Sequence, residues 1–486
     1  MALAAALLGW MFDGLEMGLF PVVARPALHD LLGVAEEGQI SLWFSVATAG
    51  FLVGAATGGV LFGWLGDRIG RVRAMMLSVL TYAIFSGLCG IASAAWQIAA
   101  LRFIAALGMG GEWSLGVALV MEIWPDRSRA LLAGLIGASA NFGYLLIGLI
   151  SRELVQILEQ AGPWLSRTGL PERWVDALVA HSGWRLLMLA GALPALLTFF
   201  IRVFVPESAR WQEERSRGST SNWASTDLVG VLIGAGAAAV MLYLWALESV
   251  SWVVRGAGSA LALAVIIVGY TYPVVRYLQR CGTGTRAGWS STTLWRMILG
   301  AGLGGVALLG TWASIQWAPV WADQLGYGIP EARSNTQICS AFGAMVGTVI
   351  AAMLGDWLGR RLAYALLCLG SLVAALVFFQ QRVYGPQFLV LVFAAGAFTA
   401  SFYGWLPLYL PELFRTAVRA TGQGFSFNFG RILAAVGTLQ TGNLVGFFEH
   451  SHPGEGYPRA CSIMSLIYLA GLVLIWFAPE TRGLPD

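Results

Sequence analysis

"GWLGDRIGRVR" occupies residues 63–73, between two apolar stretches. A second version, "GDWLGRR", occupies residues 355–361 in the same kind of setting. Gly66 of the first copy and Gly355 of the second lie 289 residues apart. A further pair keeps almost the same offset: "EIWPDRSRALLAG" at 122–134 and "ELFRTAVRATGQG" at 412–424 are 290 residues apart, and both read E-x6-R-A-x3-G. "PESAR" at 206–210 is echoed by "PETR" at 479–482. Patterns repeated at one long offset mark a chain built from two homologous halves.

The stretches around these loops say where the halves reside. The chain has 486 residues, is 57% hydrophobic and only 11% charged, and has a mean hydropathy of +0.71. Uncharged runs of about 20 residues recur, which is the length that spans a hydrocarbon core as a helix. A β-barrel would show short alternating segments instead. The apolar runs lie at 3–24, 40–64, 74–95, 97–122, 129–150, 184–205, 228–247, 257–275, 292–321, 335–355, 362–379, 387–410, 417–440 and 460–478, fourteen in all. Six fall in each repeated half, and those at 228–247 and 257–275 form an extra central pair. The expected architecture is an all-α polytopic membrane protein: a six-helix bundle over 1–205, a linker with the extra pair over 206–290, and a second six-helix bundle over 291–486. The linker is the polar run 206–226, and residues 151–183 have room for an amphipathic surface helix.

All 29 basic residues are Arg. Without Lys there is no phosphate-loop lysine and no Schiff base to a retinal-like chromophore. The five Cys are scattered and give neither a disulfide framework nor metal spacing. "EHSHP" at 449–453 reads as a solvated loop. Alternate loops share the arginines unequally, 17 (among them Arg68, Arg71, Arg286, Arg360 and Arg482) against 8. The richer side should be cytoplasmic, with both termini inside, in the plasma (inner) membrane of the cell. The first helix reads as an uncleaved span rather than a signal peptide.

Gly63, Leu65, Asp67, Arg68, Gly70 and Arg71 together resemble the signature loop of the major facilitator superfamily. Gly355, Asp356, Gly359, Arg360 and Arg361 resemble its second-half copy. The resemblance covers nearly the whole chain and implies the major facilitator fold, two six-helix halves related by a pseudo-twofold axis. It also implies that the loop acid braces the cytoplasmic side of the outward-open state, through neighbouring Arg side chains and a helix N-terminus. Asp67, Arg68, Arg71, Arg129, Asp356, Arg360 and Arg419 are accordingly the expected conformational gate. Within the superfamily, "DGLE" at 13–16, the R-x5-G-x-G-G-E pattern of the fourth span and "RATGQGFSFNFGR" at 419–431 are similar to the metabolite and organic-acid:proton symporters. The extra pair and "FGAMVGTVIAAMLGDWLGRRLAY" resemble the sialic-acid branch, from which Arg431 departs.

Five charges fall at membrane depth: Asp13, Glu16, Arg102, Glu112 and Arg431. A charge at a helix centre costs about 2.5–3.5 kcal/mol on insertion scales, so these five must face one another or a wet cavity. Three carboxylates against two guanidiniums leave one acid undercompensated. Asp13 and Glu16, three residues apart on one helix face, are with Glu112 the expected proton carriers. Glu112 is also the expected partner of Arg102, which is itself a candidate for the substrate site. Arg431 is expected to take the carboxylate of a substrate. Trp312, Gln316, Tyr403, Asn141 and Asn428 are further candidates for the pocket, with packing as the alternative for the aromatics.

The expected function is proton-coupled symport of a small organic anion by alternating access. The partners are that anion, protons and the bilayer, and the protein acts as a monomer without cofactor, metal or nucleic acid. A neutral sugar porter or a proton-coupled exporter of the same fold is the alternative, and Arg431 is the residue a sugar porter would not need. An intramembrane enzyme is disfavoured: no span carries a G-x-G-D pair, an H-E-x-x-H or a Ser/His pair. A transporter-like sensor would differ only in lacking flux.

Overall fold

The computed structural model describes residues 2–33, 37–124, 126–247, 250–281, 287–329 and 331–482, and no strand occurs among them. Arg286 and the last four residues lie outside the described residues. The first half comprises α1 (Ala2–Leu32), α2 (Glu37–Ile69), α3 (Arg71–Leu88), α4 (Ala95–Ile123), α5 (Asp126–Arg152), α6 (Leu154–Arg167), α7 (Glu172–Ala190) and α8 (Ala195–Phe204). A short helix α9 (Ala209–Ser216) leads to the pair α10 (Leu228–Ala246) and α11 (Trp252–Arg280). The second half comprises α12 (Ala287–Trp312), α13 (Ala318–Leu325), α14 (Ala332–Leu358), α15 (Arg360–Phe378), α16 (Pro386–Thr399), α17 (Phe402–Tyr409), α18 (Arg419–Ser451), α19 (Gly456–Ser465) and α20 (Ile467–Leu474).

Among the described residues, twelve segments are long and apolar enough to cross a bilayer. The other two of the expected fourteen are helical but fail that test. Residues 184–205 are broken by a turn at 191–194 between α7 and α8. α18 is 33 residues long, but its first half carries Arg419, Gln423, Asn428 and Arg431, all buried in protein. A helix that faces protein on every side near its start has no need of the uniform apolarity that lipid demands. The amphipathic helix expected after α5 is present as α6, with Leu165 buried and Trp164 exposed.

The packing repeats as the sequence does. In the first half α2 packs along α4, α1 along α5, and α3 along α4; in the second, α14 packs along α16, α12 along α18, and α15 along α16. The halves meet at two seams, α5 against α14 and α18 against α2, which are the same pair of positions exchanged. This is the pseudo-twofold arrangement. The extra pair α10–α11 packs on itself and on the α2/α18 seam. In each half a glycine with positive φ, Gly70 at 111° and Gly359 at 91°, makes the turn into the third helix, a conformation that disfavours other residues.

Candidate functional site

One seam is closed at the face bearing the signature loops. Asp67 ends α2 and accepts hydrogen bonds from the first-turn amides of α18, Ala420 N at 3.2 Å and Thr421 N at 2.9 Å. Thr421 Oγ1 donates to it at 2.6 Å, and Arg71 Nη1, from its own half, at 2.7 Å. A carboxylate at a helix N-terminus is stabilised by the exposed amides and the helix dipole. Arg71 also donates to the Thr416 carbonyl at 2.7 Å and to Glu122 at 3.1 Å. Arg419 reaches the same Glu122 oxygen at 3.3 Å. Asp67, Arg71, Glu122 and Arg419 thus form one buried network across the two halves. Arg129 lines a small recess beside it with Glu412 and Arg419.

Three expected gate residues behave differently. Arg68 turns away to Ser225 of the linker at 2.9 Å and lies over the Trp64 ring. The Asp356 side chain is 60% exposed, with Arg360 3.7 Å away as its ion-pair partner. Arg360 instead grips Glu412 of its own half at 2.7 and 3.0 Å. The arrangement is therefore asymmetric: the first-half acid bridges the halves and the second-half acid does not. Glu122 and Glu412 are the acids of the E-x6-R-A repeat, a signal that could have assigned both to this network. Below it, Glu207 of "PESAR" accepts the Arg71 amide at 2.9 Å, and Glu480 of "PETR" accepts the Arg360 amide at 2.9 Å. Burial holds the Glu207 carboxyl above its ordinary value despite three backbone donors. For Glu480, burial is outweighed by backbone donors and by Arg360, and its carboxyl lies below the ordinary value.

The membrane-depth charges sort into two sets. Arg102 donates to Glu16 at 2.9 Å and lies 3.9 Å from the Phe20 ring centre and 4.6 Å from that of Phe51. The expected partnership of Arg102 with Glu112 is therefore corrected: α1 turns Glu16, not Asp13, towards α4 at that level. The Asp13 and Glu112 carboxyl groups neighbour and influence each other. Gly9 permits this, since a methyl group there would collide with the Glu112 carboxyl. Asp13 Oδ1, Glu112 Oε2 and Arg431 Nη1 have no hydrogen-bond partner among the described residues. Arg431 lies within electrostatic reach of Asp13, and its guanidinium sits 5.7 Å from the Phe427 ring centre.

A cavity of about 690 Å³ lies between the halves. Asp13, Asn141, Trp312, Gln316, Tyr403 and Arg431 line it, together with Trp10, Trp113, Tyr144, Gln337 and Phe427. Trp113 and Phe427 stack face to face, 3.7 Å apart and 7° from parallel. Tyr144 donates to Gln316 at 3.1 Å across the halves. Trp312 and Gln316 do not share one continuous helix. α12 ends at Trp312, a 3₁₀ turn follows at Ile315–Trp317, and α13 starts with Pro319 in its first turn. The cavity runs to Arg152, Asp323, Glu331 and Arg333 at the face opposite the signature loops, where Arg152 and Glu331 pair across the halves at 3.2 Å. Glu16, Arg102 and Glu112 lie behind its wall. Asn428 lies in the closed seam, donating to the carbonyls of Gly110 at 3.2 Å and Gly424 at 3.0 Å. Trp10, Tyr144 and Phe427 were missed, although each lies three or four residues from Asp13, Asn141 or Arg431, and so on the same helix face.

The family model described as "Sugar (and other) transporter" matches residues 5–225 and 276–485. The chain belongs to this family. It is a multi-pass membrane transporter of the major facilitator superfamily and not an enzyme. The unmatched stretch contains α10 and most of α11. The niacin transporter NiaP of Acinetobacter baylyi is 25% identical over 484 residues, 98% of this chain and 93% of that protein. The cis,cis-muconate transport protein of the same organism is 26% identical over 404 residues, 81% of this chain and 78% of that one. Among solved structures, the proton:xylose symporter XylE superposes with a TM-score of 0.68 at 19% identity, over 99% of this chain and 96% of that one. That likeness concerns the fold.

Proposed function

We propose that the protein is a proton-coupled symporter of a small organic anion, a carboxylate attached to a planar, conjugated body. The observation that carries this reading is the buried Arg431 guanidinium in the cavity wall, its Nη1 without a hydrogen-bond partner among the described residues, beside the neighbouring carboxyl groups of Asp13 and Glu112. The fork of Arg431 suits a carboxylate, which it can hold through two parallel bonds. The Trp113–Phe427 stack and the rings of Trp10, Trp312 and Tyr403 favour a flat, apolar body beside it. The two relatives are named for niacin and for cis,cis-muconate, which supports an acid rather than a sugar.

Two neighbouring buried carboxyl groups do not both ionise readily, so the pair can carry one proton. While the cavity is empty, Arg431 is the nearest counter-charge to Asp13. A substrate carboxylate that takes Arg431 removes that compensation, and the acid pair then keeps its proton. Anion and proton load together, and release of the anion to the other side returns Arg431 to Asp13 and lets the proton go. Glu16 and Arg102 form a strut that holds α1 against α4.

In this reading the face of the signature loops is cytoplasmic, both termini lie on that side, and the protein works as a monomer in the plasma membrane. The structure is then the outward-facing state, with its gate at Asp67 closed and its cavity directed outwards. Fourteen crossings in a six–two–six order, with bundles at 1–205 and 291–486 and the linker with the extra pair at 206–290, fit the two segments that the family model matches.

The test is uptake into proteoliposomes of nicotinate, benzoate, cis,cis-muconate and xylose, with and without an inward pH gradient. Carboxylate accumulation that needs the gradient is expected, with Asp13→Asn retaining exchange and losing accumulation. Xylose uptake that survives Arg431→Ala would instead establish the sugar-porter alternative.

A further inference from the structure

The helix pair α10–α11 lies in the stretch that the family model does not match, yet it is built into the most consequential seam of the molecule. Gly230, Gly234 and Gly269 bring the two helices together backbone to backbone, so the pair is one stiff unit. At its base, Arg280 grips Asp227 at 2.6 and 2.7 Å and Trp223 stacks on Tyr277 at 4.3 Å. Its outer face, with Leu232, Ile233 and Val268 exposed, is suited to lipid.

Its inner face touches both halves in different ways. Towards the first half it makes directional bonds. The Tyr270 hydroxyl pairs with Thr57 Oγ1 of α2 at 2.8 Å, both groups buried. Arg68, in the signature loop itself, donates to Ser225 at the foot of α10 at 2.9 Å. The linker helix α9 adds a bond from Trp211 to the carbonyl of Asp67 at 3.1 Å. On the second half the pair rests against α18 and α12, and the buried side chains of the pair include the apolar Met241, Ile266 and Val274. Apolar contact permits sliding; a buried hydroxyl pair does not.

We propose that the extra pair is a rigid extension of the first half that leans on the second and biases the protein towards the state closed at the signature-loop face. Opening that face parts α2 from α18. The pair must then stay with one half and lose its contacts with the other. The polar anchors select the first half, so the contacts with α18 and α12 are made in the closed state and lost in the open one. Such a difference in contacts is what shifts a two-state equilibrium. The proposal is independent of the substrate.

The test uses the full chain in lipid nanodiscs, with nitroxide pairs introduced at exposed positions of the signature-loop face: Arg73 at the start of α3, Arg276 near the end of α11 and Trp357 at the end of α14. Distances are compared between the parent and Asp67→Asn, which should populate the open state. The Arg276–Arg73 distance should stay fixed while Arg276–Trp357 lengthens together with Arg73–Trp357. In an otherwise unaltered chain, Tyr270→Phe should broaden the Arg276–Arg73 distribution. The Tyr270–Thr57 bond is kept in both states, so its own energy cancels. The open fraction should rise only because a loosened pair can follow α18 and α12 and no longer resists opening. A fixed Arg276–Trp357 distance would assign the pair to the second half and overturn the proposal. So would a Tyr270→Phe protein with unchanged distances and populations, whatever Asp67→Asn does.

Discussion

Replacing Asp67 by Asn tests the gate at its centre. The carboxylate accepts four hydrogen bonds, three of them from the opposite half: Ala420 N, Thr421 N and Thr421 Oγ1. The fourth comes from Arg71 in its own half. Oδ1 takes the Arg71 and Ala420 bonds, and Oδ2 takes both bonds from Thr421. An amide keeps one oxygen, so in either orientation its NH₂ group faces two donors. The loss that matters is confined to bonds across the seam, because the Arg71 bond can survive in both states. Either one or two such bonds go. At the lower end for bonds to an ionised group, ~1.5 kcal/mol each, the closed state loses about 2 kcal/mol. With each 1.4 kcal/mol worth a factor of ten, the open fraction rises about 30-fold. Double electron–electron resonance between labels at Arg73 and Trp357 reads that fraction directly. Substrate affinity in a conformation-locked background should stay the same, since Asp67 is remote from the cavity. An open fraction that changes less than about threefold would refute the reasoning, as would a large loss of intrinsic affinity.

Asp356→Asn should change the same population by no more than about twofold, because a half-exposed pair contributes under ~1 kcal/mol; an effect equal to that of Asp67→Asn would sink the asymmetric gate. Arg102→Met should destabilise the protein by about 3–5 kcal/mol by stranding a buried Glu16, and Glu16→Gln in the same chain should recover most of the loss. Thermal unfolding in detergent reads this, and a single variant that melts like the parent would show Arg102 to be dispensable. Arg431→Lys keeps the charge and removes the fork, so equilibrium binding of a carboxylate should weaken at least about tenfold; undiminished affinity would take Arg431 out of the binding site.

The fold was legible because its two signals are one-dimensional. Apolar length marks the spans, and the 289-residue offset between Gly66 and Gly355 marks the duplication. What depends on the rotation of one helix against another was not legible. Asp13 and Glu16 do share a face of α1 in the broad sense, but a small rotation separates the one that meets Glu112 from the one that meets Arg102. Asn428 and Arg431 are likewise three residues apart on α18. The first is spent in the closed seam and the second lines the cavity, because the seam ends between them. Asp356 occupies the repeat position of Asp67, yet it faces solvent. Sequence symmetry records ancestry, whereas the two ends of the seam between the halves differ in a single conformation. Glu122 was passed over although the E-x6-R-A repeat marks it, because the repeat does not show that two guanidiniums, Arg71 and Arg419, converge on it.

In the seam that closes at the signature-loop face, Gly59 of α2 meets Gly424 of α18 backbone to backbone, with the side chains of Asn428 and Ser114 beside them. A Cβ built on Gly424 would fall well inside contact distance of the Gly59 carbonyl oxygen, which belongs to backbone and cannot swing aside. Two glycines facing each other bring few rotamers to freeze on closing, so shutting this stretch costs little entropy. The same close approach makes it a place where one methyl group acts as a doorstop. Gly424→Ala needs no reagent, ligand or antibody to hold the halves ajar. For a machine of this kind, that is a way to hold for inspection the half of its cycle that the structure described here does not display.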